Sequence, residues 1–208
     1  MTTVVKLGGS LAEIGSLRSW LDLLERRGGG RCVVVPGGGT FAEEVRAAQR
    51  RHGFSDRAAH RMALLAMDQY ALMIADLAPS LRPGETEEEI KAALARGETA
   101  LWLPSRLACG DPAITASWAV TSDSLAAWLA RRLAAANLAL VKSAPVPPLP
   151  PHELSKLGTV DAAFPAYAGA FGGTLRCYGP GDQARLADDL GADRQRRHAG
   201  TRPGYVLC

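Results

Sequence analysis

"VVKLGGS", residues 4–10, and "CVVVPGGGTF", residues 32–41, decide how this chain folds. Each is a short apolar, largely β-branched run that breaks on glycines and passes into a helical pattern. An apolar run without polar alternation marks a strand buried on both faces. Glycine after such a strand lets the backbone adopt positive φ and come close to a ligand. The following helix presents unpaired N–H groups and the positive end of its dipole, a seat for phosphate oxygens. Neither turn has the GxxxxGK[ST] spacing of a P-loop, so neither is a Walker site. Alone, each reads equally well as a plain tight turn. Together they pose a question: are they two sides of one phosphate site?

Outward from these turns, residues 3–7, 31–35, 99–104 ("TALWLP"), 138–142 ("LALVK") and 174–178 read as strands. Residues 11–27 carry Leu17, Leu21 and Leu24 at helical spacing, widened by Trp20. A second helix opens at Thr40, an N-cap with Glu43 three residues on as a capping box. Residues 55–78 form a long helix whose apolar residues cover more than one face. Residues 82–98 read as a turn and an exposed helix, 121–136 as another helix and 181–190 as a last one. "SAPVPPLPPHE", residues 143–153, is a proline-rich loop that cannot donate ladder hydrogen bonds. Alternating strands and helices predict an α/β protein with a mainly parallel sheet, its ligands at the carboxyl ends of the strands. No repeat or linker divides residues 1–208, which read as one domain.

The 208 residues suffice for one substantial core, and 47% hydrophobic with 22% charged residues is an ordinary globular composition. A net charge of +3 is too small to argue for nucleic acid, and the basic stretch 193–202 reads as solvated surface. No window approaches the roughly 18 apolar residues of a membrane span, and no signal segment opens the chain. Cys32, Cys109, Cys177 and Cys208 show no CxxC spacing and are expected to be reduced thiols in a cytoplasmic protein, with no zinc site.

Three charged residues stand out. Lys6 lies inside an apolar strand two residues before the glycines, and Lys142 closes "LALVK". A buried ammonium needs an anionic partner or loses its charge; a solvent-facing strand lysine is the plain alternative. Asp123 falls in the first turn of a helix, where an acid is stabilising by itself.

Taken in order, "VVKLGGSL", "VVVPGGGTFAEEVR", "VTSDSLAAWLA" and "LALVKS" resemble the amino acid kinase superfamily over residues 3–143. The resemblance implies a three-layer αβα sandwich, with the phosphoacceptor toward the N-terminal half and ATP toward the C-terminal half. It implies that Lys6 and Lys142 contact the phosphates being exchanged and that Asp123 holds the two lysines in place. It also implies that Gly8, Gly9 and Ser10, with Gly37, Gly38 and Gly39, cradle those phosphates. Magnesium would be held mainly by the nucleotide, with no protein ligand expected. Family members are usually homo-oligomers, for which Leu72, Met73 and Ile74 would supply a contact. Many members follow the strand of Lys142 with an aspartate-glycine loop; here that place reads "SAPVPPLPP".

"HRMALLAMDQYALMIADL" (60–77), "WLPS" (102–105), "SWAVTSDSLAAWLA" (117–130) and "VDAAFPAYA" (160–168) look like one subgroup. That subgroup phosphorylates [5-(aminomethyl)furan-3-yl]methyl phosphate to its diphosphate on the route to methanofuran or methylofuran. A phosphate monoester is already mostly dianionic at neutral pH, so it needs no general base. Charge neutralisation and positioning are the remaining tasks, and no base motif is seen. On helix 60–77, a furan would pack on Met67 or Tyr70, with His60 nearby and Asp68 meeting the ammonium. Met67 and Tyr70 read equally as core, and His60 and Asp68 as a satisfied polar edge. Uridylate or isopentenyl phosphate is the alternative acceptor on the same fold, and a non-catalytic nucleotide-binding or oxyanion-storage subunit is the alternative class.

Overall fold

The computed structural model describes residues 1–199, with side chains through residue 191. Cys208 and the side chains of the basic stretch 193–202 lie outside the described residues. Six strands form one sheet: β1 (Thr3–Leu7), β2 (Cys32–Pro36), β3 (Leu81–Gly84), β4 (Thr99–Trp102), β5 (Asn137–Val141) and β6 (Thr174–Tyr178). Their order is β3-β4-β2-β1-β5-β6, and every pairing is parallel. The chain first builds away from β1 on one side, then returns to lay β5 and β6 on the other.

The helices are α1 (Leu17–Arg27), α2 (Gly39–His52), α3 (Asp56–Leu77), α4 (Glu87–Ala95), α5 (Ser105–Ala108), α6 (Ser122–Arg132), α7 (Pro151–Lys156), α8 (Phe164–Phe171) and α9 (Gln183–Ala199). Strand alternation divides the core in two. Val4, Val33, Val35, Leu138 and Leu140 join α4, α6 and α8 on one face. Val5, Leu7, Val34, Ala139 and Val141 join α1 and α9 on the other. This is the three-layer αβα arrangement. α3 serves both layers, giving Leu64 and Met67 to the first and Tyr70, Ala71 and Ile74 to the second, so its broad apolar surface is accounted for.

Several boundaries differ from the sequence reading. β3 replaces the turn expected from residue 82: it is an edge strand, paired only with β4, where Pro83 is tolerated. Residues 9–11 form a 3-10 turn, and α1 begins only at Leu17. α2 begins at Gly39, with no side-chain cap, so the expected Thr40 capping box is not formed. Glu43 instead pairs with Arg46. The predicted helix 121–136 ends at Arg132, followed by Ala134 at φ 49°. The stretch 143–153 read as a loop turns helical at Pro151, where α7 begins, and α8 lays Phe164 into the core.

Among the described residues, no disulfide joins Cys32, Cys109 and Cys177. Among the described residues, no helix is long and apolar enough to cross a membrane. Of the residues expected at a subunit contact, Ile74 is fully buried within the chain, Met73 is half-buried and Leu72 is exposed. Ile74→Ala should therefore lower stability by about 2–5 kcal/mol, whereas Leu72→Ala should stay within about 0.5 kcal/mol. Urea unfolding reads both; an equal loss in both would place Leu72 in a buried contact between copies.

Candidate active site

β1 lies between β2 and β5, and the chain leaves it toward β2 but reaches β5 only after α6. The carboxyl ends of these three strands form a topological switch point, where open α/β sheets hold ligands. Backbone bonds tie the turns there together: Gly8 N–H donates to Val141 O at 3.1 Å and Gly37 N–H to Leu7 O at 2.9 Å. Ser10 and Ser143 hydroxyls meet at 2.8 Å, bridging the turn after β1 and the loop after β5.

The two glycine turns lie backbone against backbone. A Cβ on Gly9 would stand 2.4 Å from Gly39 N, and one on Gly37 would stand 2.4 Å from Gly9 N. No side chain fits at either position, so the approach itself requires glycine. The uncapped start of α2 opens from this pair of turns, leaving its dipole and first amides for an anion. The two turns line one cavity.

Beneath them lies an ion cluster. Lys6 shares the face of β1 that carries Val4 and points toward α6, whose first turn holds Asp123. Lys6 Nζ is 3.0 Å from Asp123 Oδ1, and Lys142 Nζ is 2.8 and 2.7 Å from the two carboxylate oxygens. Side-chain exposure is 6% for Lys6 and Asp123 and 13% for Lys142, so the first two are buried charges and Lys142 is largely so. Burial opposes the charge on Asp123, but Lys6 and Lys142 outweigh it and hold the carboxyl below its ordinary value. Burial, and then the Lys6 charge, pulls Lys142 down to about 8 although Asp123 supports its ammonium form. Gly8 sits against this cluster; a Cβ there would be 3.7 Å from Lys6 Nζ.

Alongside is a cavity of about 390 Å³ lined by Gly9, Ser10, Gly37, Gly38 and Gly39 and by side chains of α2, α3 and residues 118–125. Leu64, Met67, Val120 and Leu125 make its apolar wall, and His60 and Arg46 line it as well. The Arg46 guanidinium lies 4.5 Å over the Trp118 ring and pairs with Glu43 at 3.0 Å. Burial lowers the pKa of His60, which keeps its imidazole neutral at pH 7.

The sequence model of the Amino acid kinase family matches residues 1–145. The chain belongs to the amino acid kinase family. It is 29% identical over 131 residues to the [5-(aminomethyl)furan-3-yl]methyl phosphate kinase of Methanocaldococcus jannaschii, a match covering 62% of this chain and 60% of that protein. Uridylate kinase from Archaeoglobus fulgidus superposes with a TM-score of 0.63 at 17% identity, covering 92% of this chain and 96% of that one. UMP kinase from Ureaplasma parvum gives 0.64 at 14% identity, covering 92% and 95%. At these identities the two structures speak for the fold alone.

In this amino acid kinase family chain, the motif residues converge, while the helix 60–77 candidates separate. His60 and Met67, two turns apart, line the cavity; Asp68 and Tyr70 do not. Asp68 is rotated by roughly 100° from Met67 around the helix, and its Oδ1 accepts from Ser105 N–H at 3.1 Å at the start of α5. Its pKa is raised by burial. Tyr70 lies one turn beyond Met67, 2% exposed, beneath the glycine turns. Its hydroxyl donates to Gly9 O at 3.0 Å, and its ring would be 2.7 Å from a Cβ on Gly39. It props the turns from below. Sequence reasoning missed Arg46, Trp118, Thr121 and Ser122 as cavity residues. "AEEVR" held Arg46 in view, but nothing local marks it as facing Trp118.

Asp123→Ala should cost about 3–5 kcal/mol at neutral pH, because it leaves two ammonium groups buried without a counter-charge. The Asp123 contribution is present above the ordinary carboxyl value of 3.8 and fades as pH falls through its lower folded value. Denaturant unfolding at pH 7 and at pH 3 should therefore give a smaller difference between wild type and variant at pH 3. Replacing the trio together by Lys6→Met, Asp123→Leu and Lys142→Met should recover most of the loss.

Proposed function

We propose that this protein is an ATP-dependent phosphotransferase that converts an aminomethylfuran phosphate monoester to its diphosphate in methanofuran or methylofuran biosynthesis. The observation that carries the reading is the buried Lys6–Asp123–Lys142 cluster beneath two apposed glycine turns. The similarity to the Methanocaldococcus jannaschii kinase supports the choice of acceptor.

Two lysines and one aspartate leave one positive charge in excess where the phosphates would meet. A phosphate oxygen of the acceptor forms the new bond to the γ-phosphorus as the bond from that phosphorus to the β,γ-bridging oxygen breaks, releasing ADP. The acceptor oxygen is already ionised, so no side chain has to remove a proton. Lys6 and Lys142 stabilise charge that shifts onto the bridging oxygen, and the glycine turns align both phosphates. Magnesium accompanying the nucleotide would sit on its phosphates. Both Asp123 oxygens are engaged by lysines, and among the described residues no three His, Cys, Asp or Glu side chains cluster.

The cavity is the acceptor side, and the loops after β5 and β6 are the nucleotide side. Its apolar wall suits a furan, Arg46 a phosphate, and Glu13 or Glu43 an ammonium in place of Asp68. Uridylate is the second reading of the acceptor on this same fold.

Incubation with Mg-ATP and the aminomethylfuran phosphate should yield the furan diphosphate with stoichiometric ADP by mass spectrometry, with little turnover of UMP or isopentenyl phosphate. Preference for UMP would keep the transfer chemistry and discard the furan. ATP binding without turnover of any acceptor would leave a binding or storage protein. Lys6→Ala should lower kcat by on the order of 10²–10³-fold, with a much smaller change in ATP affinity; an unchanged kcat would remove Lys6 from the phosphoryl path.

The Lys142 ammonium is needed charged, so kcat/KM should fall as pH rises through about 8. Bound phosphates favour the ammonium, so the limb in kcat should lie at higher pH. Stability moves the other way: the folded Lys142 releases its proton before the unfolded one, so stability rises with pH above about 8. Profiles that coincide in kcat and kcat/KM would place Lys142 away from the phosphates.

A further inference from the structure

Asp161 belongs to the stretch "VDAAFPAYA" and takes no part in the chemistry above, yet its carboxylate is saturated by the start of α6. Oδ2 accepts from Thr121 N–H at 2.9 Å, from the Thr121 hydroxyl at 2.8 Å and from Ser124 N–H at 3.0 Å. Oδ1 accepts from the Ser124 hydroxyl. α6 has no side-chain cap from its own N-cap residue, Thr121. A carboxylate between α7 and α8 fills that role from across the fold.

The capped residues bracket Asp123. Thr121 and Ser124 are both held by Asp161, and Asp123 stands between them, gripping Lys142 at 2.8 and 2.7 Å and Lys6 at 3.0 Å. Asp161 is itself fixed. Ala163 N–H donates to Ala119 O at 2.9 Å, and Phe164 beside it is fully buried. Thr121 also lines the acceptor cavity. One side chain therefore sets the ion cluster and the cavity lip together.

We infer that Asp161 is a positioning residue of the active site, which holds Asp123 between Lys6 and Lys142 by capping α6 from outside the helix. Only the kinetic consequence rests on the phosphotransferase reading. The geometric consequence belongs to the resting protein.

The chain has four lysines, Lys6, Lys91, Lys142 and Lys156, so lysine-labelled protein gives a readable NMR titration of each ammonium. The groups facing Lys142 are Lys6, Asp123 and the Cys177 thiol. Loosening Asp123 removes its support of the charged form. In Asp161→Ala the Lys142 midpoint should move down by about one pH unit, and kcat should fall on the order of 10²-fold with KM for ATP changing less than about threefold. Asp161→Asn, with its amide oxygen toward α6, keeps an acceptor for three of the four donors and should return the Lys142 midpoint toward the wild-type value. Thr86→Ala removes a cap from the distant α4 and should leave Lys142 unmoved.

A Lys142 midpoint unchanged in Asp161→Ala would overturn the inference and reduce Asp161 to a plain helix cap. Should Asp161→Ala fail to fold, Ser124→Ala, which removes one donor, must move Lys142 in the same direction; no movement there overturns it equally. If wild-type protein transfers phosphate to no acceptor, the kinase reading fails while the lysine titration still decides the role of Asp161.

Discussion

Two buried ammonium groups share one carboxylate, and the rest of the site is arranged around that imbalance. Lys6 and Lys142 both contact Asp123, so each lysine is held by an attraction that the other weakens. A single buried pair would be electrically closed and would offer nothing to a ligand. Three charges leave a net positive centre that water cannot reach well enough to screen. On the proposed phosphotransferase reading, a bound polyphosphate would supply the missing negative charge. Binding and charge compensation would then be one event, and the low-dielectric surroundings that strain the resting cluster would strengthen its grip on phosphate.

The glycine turns answer a second constraint. The lysines occupy the floor, so on the same reading the walls would hold phosphate oxygens with backbone groups and leave room for two substrates. Apposing Gly9 to Gly37 and Gly39 at distances that exclude any Cβ brings two sets of amides to one place. Such backbone packing has no side chains of its own to stiffen it. Tyr70 supplies the stiffness from below, with its ring against Gly39 and its hydroxyl on Gly9 O. Fixed there, Tyr70 packs as core, one of the two readings that its helical spacing leaves open.

What the sequence made legible follows from which constraints are local. β1, β2 and β5 are buried on both faces and stand out as mainly apolar runs, whereas β3 is an edge strand carrying a proline and shows no such run. Lys6 was conspicuous because it interrupts a buried strand. Asp123 was ambiguous because an acid in a first helical turn already has a local reason to be there. The Thr40–Glu43 pattern has capping-box spacing, but the chain starts α2 at Gly39, and Glu43 is drawn to Arg46 instead. Asp68 sits on the same helix as the true cavity residues and differs from Met67 only by its angle around the axis. Arg46 over Trp118, and Asp161 on α6, join residues from distant parts of the chain, and no local pattern encodes such pairs.

The sheet order explains why a distant aspartate has to cap α6. To reach β5 from β4 the chain must cross over β2 and β1, and α6 makes that crossing on the face that carries Lys6. The crossing delivers Asp123 over the switch point, but it leaves the first turn of α6 among glycine turns and a cavity, where few side chains can steady it. Its own first residues are committed elsewhere: Asp123 to the lysines, Ser122 to the cavity wall and the Thr121 hydroxyl to Asp161. The cap must therefore come from outside the helix, and the segment after α7 is where the fold supplies it. The same crossing makes the site a product of the complete sheet. Lys6 from β1, Asp123 from the crossover and Lys142 after β5 meet only when β5 has paired with β1 and α6 has crossed the sheet, so the charge cluster forms with the fold and not ahead of it.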